Sequence, residues 1–400
     1  DADSPTMTVP PDSEVTFELL LDRDIPGEFP ATLSFLTNDP GEDYFEATVT
    51  AFVEDISPGF GFTDPEILYE SNDGGNLSWV DLEWGSGNTW AAIWVEDGSD
   101  NEIRTNRSTN DGATFGPAIT LDTTLDSTLQ SSNIEYAGSN DWVAAWETFE
   151  GPNTSTGSDT STKGARSTNN AASWSQSFFV NSDTSNFVEG SQRFPSLASD
   201  SSGNTVAVWA QQDQFLVGNP DIFFSRSTNN GASWSTPDFV DGALSQRTQN
   251  FRPQVAKLGN GRFIVVWEGR DLRGGNENVW GSDSDIFYSR STNGGASWSA
   301  TKELNSDAKT DNKDDDRAQI ASDGQGNVII VWSGTGNSLN DPLGLDRDIL
   351  YSTSFNNGQT WSASRPLNNN AAIDSANNSI ASIQTDQQGN WLATWGGGGS

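Results

Sequence analysis

The phrase Asp285–Trp298, D-I-F-Y-S-R-S-T-N-G-G-A-S-W, limits what this chain can fold into more than any other stretch. An alternating apolar run enters a tight polar turn, Ser291-Thr292-Asn293-Gly294-Gly295, and leaves toward Trp298. A strand, a Gly/Asn turn and a second strand make a hairpin. The phrase returns at Ser108–Phe115, Ser167–Trp174, Ser227–Trp234 and Ser354–Trp361. Its closing aromatics are 59, 60, 64 and 63 residues apart. Such a period is too long for a solenoid and suits the blade of a propeller.

A second phrase interleaves with the first: apolar strand, Gly/Asp/Asn turn, apolar strand, Trp. It is clear at Pro195–Trp209, Pro253–Trp267 and Ala318–Trp332, and weaker where it ends at Trp94, Trp146 and Trp395. Naming the strands of a blade a to d, the Trp phrase supplies a and b, and the turn phrase c and d. Blades one to five are then expected over 76–121, 131–180, 193–240, 251–304 and 316–367, with a sixth beginning at Ser379–Trp395. The segment 62–68 matches 234–240 and is expected to be the d strand of the sixth blade, closing a six-bladed ring without a free edge. Strand c of that blade is missing, so the sequence reads as ending in mid-blade. The Trp that ends strand b in each blade is expected in the core, where an aromatic side chain buries roughly 150–250 Å². Trp280, in a polar loop outside the repeat, is the exception and a candidate sugar-stacking residue.

The turn phrase resembles the Asp-box, or bacterial neuraminidase repeat, Ser-x-Asp-x-Gly-x-Thr-Trp. Asn110, Asn169, Asn229, Asn293 and Asn357 stand for its Asp, and Asn makes the same local backbone hydrogen bonds. Ala171 replaces the box Gly in the second copy, which predicts strain there. The resemblance implies an all-β, six-bladed propeller of sialidase type. In that family the box is a structural turn away from the active centre, so it speaks for fold more than for chemistry.

Residues 1–55 read as a separate unit. Glu14–Leu21, Ala31–Thr37 and Tyr44–Phe52 alternate as strands do, with turns at 24–27 and 38–41. The phrase Leu36-Thr37-Asn38-Asp39-Pro40 and the β-rich run after it resemble the last half of an Ig-like choice-of-anchor D domain, a spacer of bacterial surface proteins. The first half of such a sandwich is expected upstream, and 56–60 reads as the linker to a propeller over 61–400.

The chain contains neither cysteine nor histidine. Disulfides, thiolate zinc sites and His-based catalysis are thereby excluded, leaving carboxylates, Tyr, Arg or a bound metal for any chemistry. A net charge of −36 argues against nucleic acid, which requires a basic surface. Its plain reading is solubility in salt, its functional one calcium held by carboxylate-rich loops. No apolar run is long enough to span a bilayer. The chain starts at Asp1 and its one Met is Met7, so it reads as a segment of a longer exported protein, at the cell surface or outside it.

Strand direction sorts the loops. The a–b hairpins and box turns are short and fall on one face. The d–a and b–c connections, such as Thr148–Thr162, Gln211–Pro220, Glu268–Ser284 and Ser333–Leu345, are long, varied and on the other face, where function is expected. Arg193, Arg252 and Arg317 begin strand a there. Sialidases hold a sugar carboxylate with three arginines, and Phe251-Arg252-Pro253 resembles a shortened Phe-Arg-Ile-Pro motif. Arg suits the task because its planar fork binds a carboxylate bidentately and stays charged. Against this, the three blades are consecutive, Arg193 is offset by one residue, and each Arg could simply pair with acidic loop neighbours. A retaining sialidase also uses a Tyr nucleophile with a Glu partner and an Asp acid/base. Tyr69 and Glu70 are the candidates for the first pair, while Tyr288 and Tyr351 read as packing residues. Glu268, Arg270 and Asp271 form the strongest loop cluster, with Glu147 equivalent to Glu268 in blade two. The run 307–316, with Asp307, Asp311, Asp314 and Asp316, is either a solvated acidic loop or a calcium site. Asp283, Asp285, Asp346 and Asp348 also have calcium-like spacing but, with Asp221, open c strands, where hydrogen bonding is the expected role. Two functions are consistent with these residues: a sialidase-like exo-glycosidase acting on extracellular glycans, and a non-catalytic propeller binding carbohydrate or protein.

Overall fold

A computed structural model describes residues 27–36, 44–53, 76–97, 101–124, 131–148, 160–181, 191–200, 202–212, 219–240, 248–271, 283–305, 313–335, 346–367, 371 and 377–397. All regular structure in them is β, and the chain divides into two units, Asp1–Glu66 and Ile67–Ser400. In the first, Gly27–Leu36 pairs antiparallel with Tyr44–Val53, starting inside the turn expected at 24–27. The expected strand 14–21 and the closing strand 62–68 lie outside the described residues.

The second unit is a series of propeller blades. Blade one is Asn76–Trp84, Trp90–Asp97, Asn101–Ser108 and Ile119–Thr124; blade two is Ser132–Gly138, Asp141–Thr148, Ser161–Ser167 and Phe178–Phe179. Blade three is Gln192–Ser199, Thr205–Gln212, Pro220–Ser227 and Asp238–Phe239. Blade four is Thr248–Gly259, Arg262–Asp271, Ser284–Ser291 and Lys302–Glu303; blade five is Asp315–Ser322, Val328–Thr335, Arg347–Ser354 and Arg365–Pro366. Each is a four-stranded antiparallel meander. The sixth sheet has two strands among the described residues, Asn378–Thr385 and Trp391–Gly397.

Strand b is apolar on both faces because it lies between two layers of neighbours. Trp94, Trp146, Trp209, Trp267 and Trp332 are at most 1% exposed, whereas Trp395, in the two-stranded sheet, is 39% exposed. Each blade interface is its own apolar cluster, such as Val206, Val208, Phe263, Val265 and Trp267 between blades three and four. Tyr288 packs edge-on against Trp361 at 5.7 Å, so it is a core residue.

The repeated turn is held by its first Ser. Ser291 Oγ accepts the Gly295 N–H at 3.0 Å and donates to Asn293 Oδ1, which in turn accepts the Ser297 N–H. In the fifth copy Asn356, not Asn357, does this, because the third position follows Ser354 by two residues. Asn357 takes the next position, at φ +58°. Ala171 has φ +59°, which is strained for a residue with a Cβ.

Inner strands of successive blades are joined through side chains. Asp81 Oδ2 accepts the Ile134 N–H, Asn133 Oδ1 the Leu197 N–H, Glu135 Oε1 the Ser199 N–H and Ser196 Oγ the Val255 N–H. Lys257 of blade four reaches back past blade three to within 3.9 Å of Glu135 in blade two. The a strands therefore converge on one axis.

Candidate functional site

Strand a carries a bulge near its start in five sheets. The register slips between Ser78 and Asp81, Arg193 and Ser196, Phe251 and Gln254, Asp316 and Gln319, and Ser379 and Ser382. Pro195 and Pro253 sit in two of these slips, where no ladder N–H is needed. The first bulge residue is left-handed in four of them: Trp79 (φ +53°), Phe194 (+57°), Arg252 (+46°) and Arg317 (+57°). Bulky side chains seldom adopt this conformation, and its recurrence at one position marks a place of chosen side chains.

Arg252 and Arg317 thus occupy equivalent positions. Arg193 stands one residue early, in regular pairing with Ala210, and Phe194 takes the bulge position in blade three. The Arg252 guanidinium lies over the Phe194 ring, 5.2 Å from its centroid, and its Nη1 donates to Glu268 Oε1. The second Glu268 oxygen accepts the Arg317 N–H at 2.7 Å. One buried carboxylate therefore fixes a guanidinium in its own blade and the strained backbone of the next. The Arg252 side chain remains 42% exposed, and Arg317 is exposed.

Glu147 repeats the motif two interfaces earlier, accepting the Phe194 N–H beside Arg193. It is 1% exposed, and its Oε2 has no hydrogen-bond partner. Burial pushes its carboxyl up to about 7, against the opposing pull of Arg193 and the Phe194 N–H. The site thus contains a carboxyl group that is neutral in mild acid.

The other candidates are dispersed. Arg270 Nη2 binds Asp314 Oδ1, which also accepts the Ser284 N–H, and Asp316 binds Arg347. Asp271 ends strand b of blade four. Tyr69, Glu70, Trp280, Asp307 and Asp311 lie outside the described residues, as does most of each long connection. Among the described residues no three carboxylates come together to hold a metal ion. Asp221, Asp285 and Asp348 each accept a side-chain amide, from Asn250, Asn305 and Asn378.

Trp79 and Phe194 are the site residues that residue-type reasoning missed. The signal was positional: aligned on the strand that follows, both fall where Arg252 and Arg317 fall.

No family model matches the chain, and no curated protein matches it in sequence. Among solved structures, a Dyadobacter fermentans protein of unknown function superposes with a TM-score of 0.52 at 12% identity, over 82% of this chain and 92% of that one. A Hadza microbial sialidase superposes at 0.49 with 15% identity, over 77% of this chain and 61% of that one. The intramolecular trans-sialidase from Ruminococcus gnavus gives 0.48 and 9%, over 80% and 90%. The chain spans about 61% of the length of the Hadza sialidase. The Dyadobacter likeness is one of fold alone.

Proposed function

We propose that this chain is a sialidase-like exo-glycosidase acting on extracellular glycans, with the carboxylate of a terminal sugar acid held by Arg252 and Arg317. The observation that carries the reading is the Arg252 arrangement. Its guanidinium is oriented by Glu268 and Phe194, half-exposed, and one blade from a second arginine at the same bulge position. An oriented guanidinium loses little freedom on binding a carboxylate, which favours a specific anion site. The acidic chain around it selects against polyanions and leaves room for a single negative group.

A second reading, a non-catalytic glycan-binding propeller, is favoured by one feature. Glu268 is engaged by Arg252 and the Arg317 N–H, and Glu147 is buried, so neither is placed to touch a substrate. Both readings share the arginine site.

Release of fluorophore from a synthetic sialoside, with and without calcium, tests the proposal. Turnover by the wild-type chain that is lost in Arg252→Ala, with the melting temperature unchanged within a few degrees, is the expected result. Binding without turnover makes the second reading correct. Equal binding by wild type and Arg252→Ala removes the arginine site altogether. The calcium arm decides whether the run 307–316 contributes.

A further inference from the structure

On the box-turn face, the residue before the box Ser lies diagonally across from the residue at the start of strand b, on the same side of the sheet. In blade two these are Arg166, opposite Val143, and Asp141, and Arg166 Nη2 meets Asp141 Oδ2 at 2.8 Å. The same carboxylate oxygen accepts Asn230 Nδ2, from the box turn of blade three, at 2.7 Å. One carboxylate is thus held between an arginine of its own blade and an amide of the next. In blade three the diagonal pair is Arg226 and Asn204, again at 2.8 Å. Blade four keeps the donors and replaces the acceptor. Arg290, opposite Ile264, stands where Arg166 stands, and Arg262 takes the place of Asp141. Asn357, in the box turn of blade five, takes the place of Asn230, with φ +58° against +53°.

Arg262 and Arg290 are both partly buried. The Arg290 stem reaches the turn of blade five, where a Cβ on Gly358 would lie 3.4 Å from its Cδ. Its Nε is buried without a hydrogen-bond partner. Burial pushes the Arg290 guanidinium down, as does the like charge of Arg262, against the pull of Tyr288; no carboxylate is among the groups that act on it. In a chain with 56 acidic residues against 20 basic, two neighbouring arginines so placed are an exception. Like charges on such a diagonal destabilise a sheet until an anion joins them. We infer that the joint between blades four and five binds a tetrahedral oxyanion such as sulfate, at the place the Asp141 carboxylate fills between blades two and three. Arg262 and Arg290 supply two positive charges, and Asn357 supplies an amide donor. Arg262 lies six residues before Glu268 on one strand, about 20 Å away, so this site is separate from the arginines of the loop face.

Sulfate also suits Arg252 and Arg317, so the test uses Arg252→Ala as the parent chain. Sodium sulfate is titrated by calorimetry at constant ionic strength, and each variant is checked by thermal melting. The parent is expected to bind sulfate saturably. Adding Arg262→Asp, which recreates the arrangement of blade two, should weaken sulfate at least about tenfold, the scale of one lost charge-assisted contact. It should also raise the melting temperature in sulfate-free buffer. Arg290→Gln should lose sulfate in the same way, whereas Arg262→Lys, which keeps the charge, should retain most of the binding. Glucose 6-sulfate is titrated beside the free ion. Tighter binding of the ester assigns the site to a sulfated glycan, and equal or weaker binding assigns it to the free ion. A parent that binds no sulfate overturns the inference, as does equal sulfate affinity in the parent and in both Arg262→Asp and Arg290→Gln. Neither result bears on the carboxylate reading, which is tested with Arg252 in place.

Discussion

Glu147 shows how a single residue can tie the site to pH. Its carboxyl is raised from an ordinary 4.5 to about 7 in the folded chain, chiefly by burial. Between these values the unfolded chain has released the proton while the folded chain keeps it, so stability falls as pH rises from 4.5 to about 7 and stays lower above. Glu147→Gln keeps an acceptor for the Phe194 N–H and removes the titration. The variant should therefore be more stable than wild type at pH 8, by on the order of 3 kcal/mol, with most of the gain absent at pH 5. Urea denaturation at the two pH values measures this, and a gain equal at both would contradict it. Some of this scale was legible in sequence and some was not. Glu147 and Glu268 were recognisable as equivalents because each follows the Trp of strand b. That one is paired with a guanidinium and the other is buried beside Arg193 depends on neighbours 16 and 46 residues away (Arg252 − Glu268, Arg193 − Glu147). Arg193 stands with Arg252 and Arg317 at the start of strand a, and its one-residue offset, visible in the sequence, leaves the bulge of blade three to Phe194.

Within the blade, the box turn is constrained by the sheet before it. A Cβ on Gly295 would lie 2.4 Å from Val206 Cγ2, and one on Gly231 2.5 Å from Val143 Cγ2. Val143 and Val206 lie three residues before the Trp of strand b, where blade one has Ala91. Ala91 and Ala171 belong to the same apolar cluster, so the smaller residue in one blade admits the extra methyl in the next. Sequence made the strain at Ala171 visible; the space that accommodates it could be seen only once the blades were stacked. Gly295→Ala should destabilise the chain by about 2–4 kcal/mol, from overpacking and a left-handed alanine. Combined with Val206→Ala, it should cost at least about 1 kcal/mol less than the sum of the two single changes. A double-mutant cycle in urea reads the coupling, and strict additivity would refute the contact. Strands a to c were legible throughout, because apolar alternation and a terminal Trp are strong local signals. The d strands of blades two to five are only two residues long, and the bulges announced themselves only through Pro195 and Pro253.

Over the whole molecule, 56 acidic against 20 basic residues give a net charge of −36. A compact state holding that charge repels itself, and added salt screens the repulsion over a Debye length of about 10 Å at 0.1 M. The melting temperature should rise by several degrees between 20 mM and 500 mM sodium chloride; a fall would mean that ion pairs such as Arg166–Asp141 outweigh the repulsion. The fold itself followed from a period and two phrases. The site followed only in part, since its long connections lie outside the described residues and its rim is set by register.

Many of the joints between blades run in one sense. Arg107 donates to the Asn170 carbonyl and Arg166 to the Asn230 carbonyl, while Asp81, Asn133, Ser196 and Glu268 accept N–H groups of the following blade. In each of these the earlier blade supplies a side chain and the later one a peptide group, whereas Ser132, Gln192 and Asp314 reach back from the later blade to the backbone of the earlier. A copied blade would carry its own forward couplings with it. The described blades thus share a joint that copying would preserve, while the bulge residue differs from blade to blade.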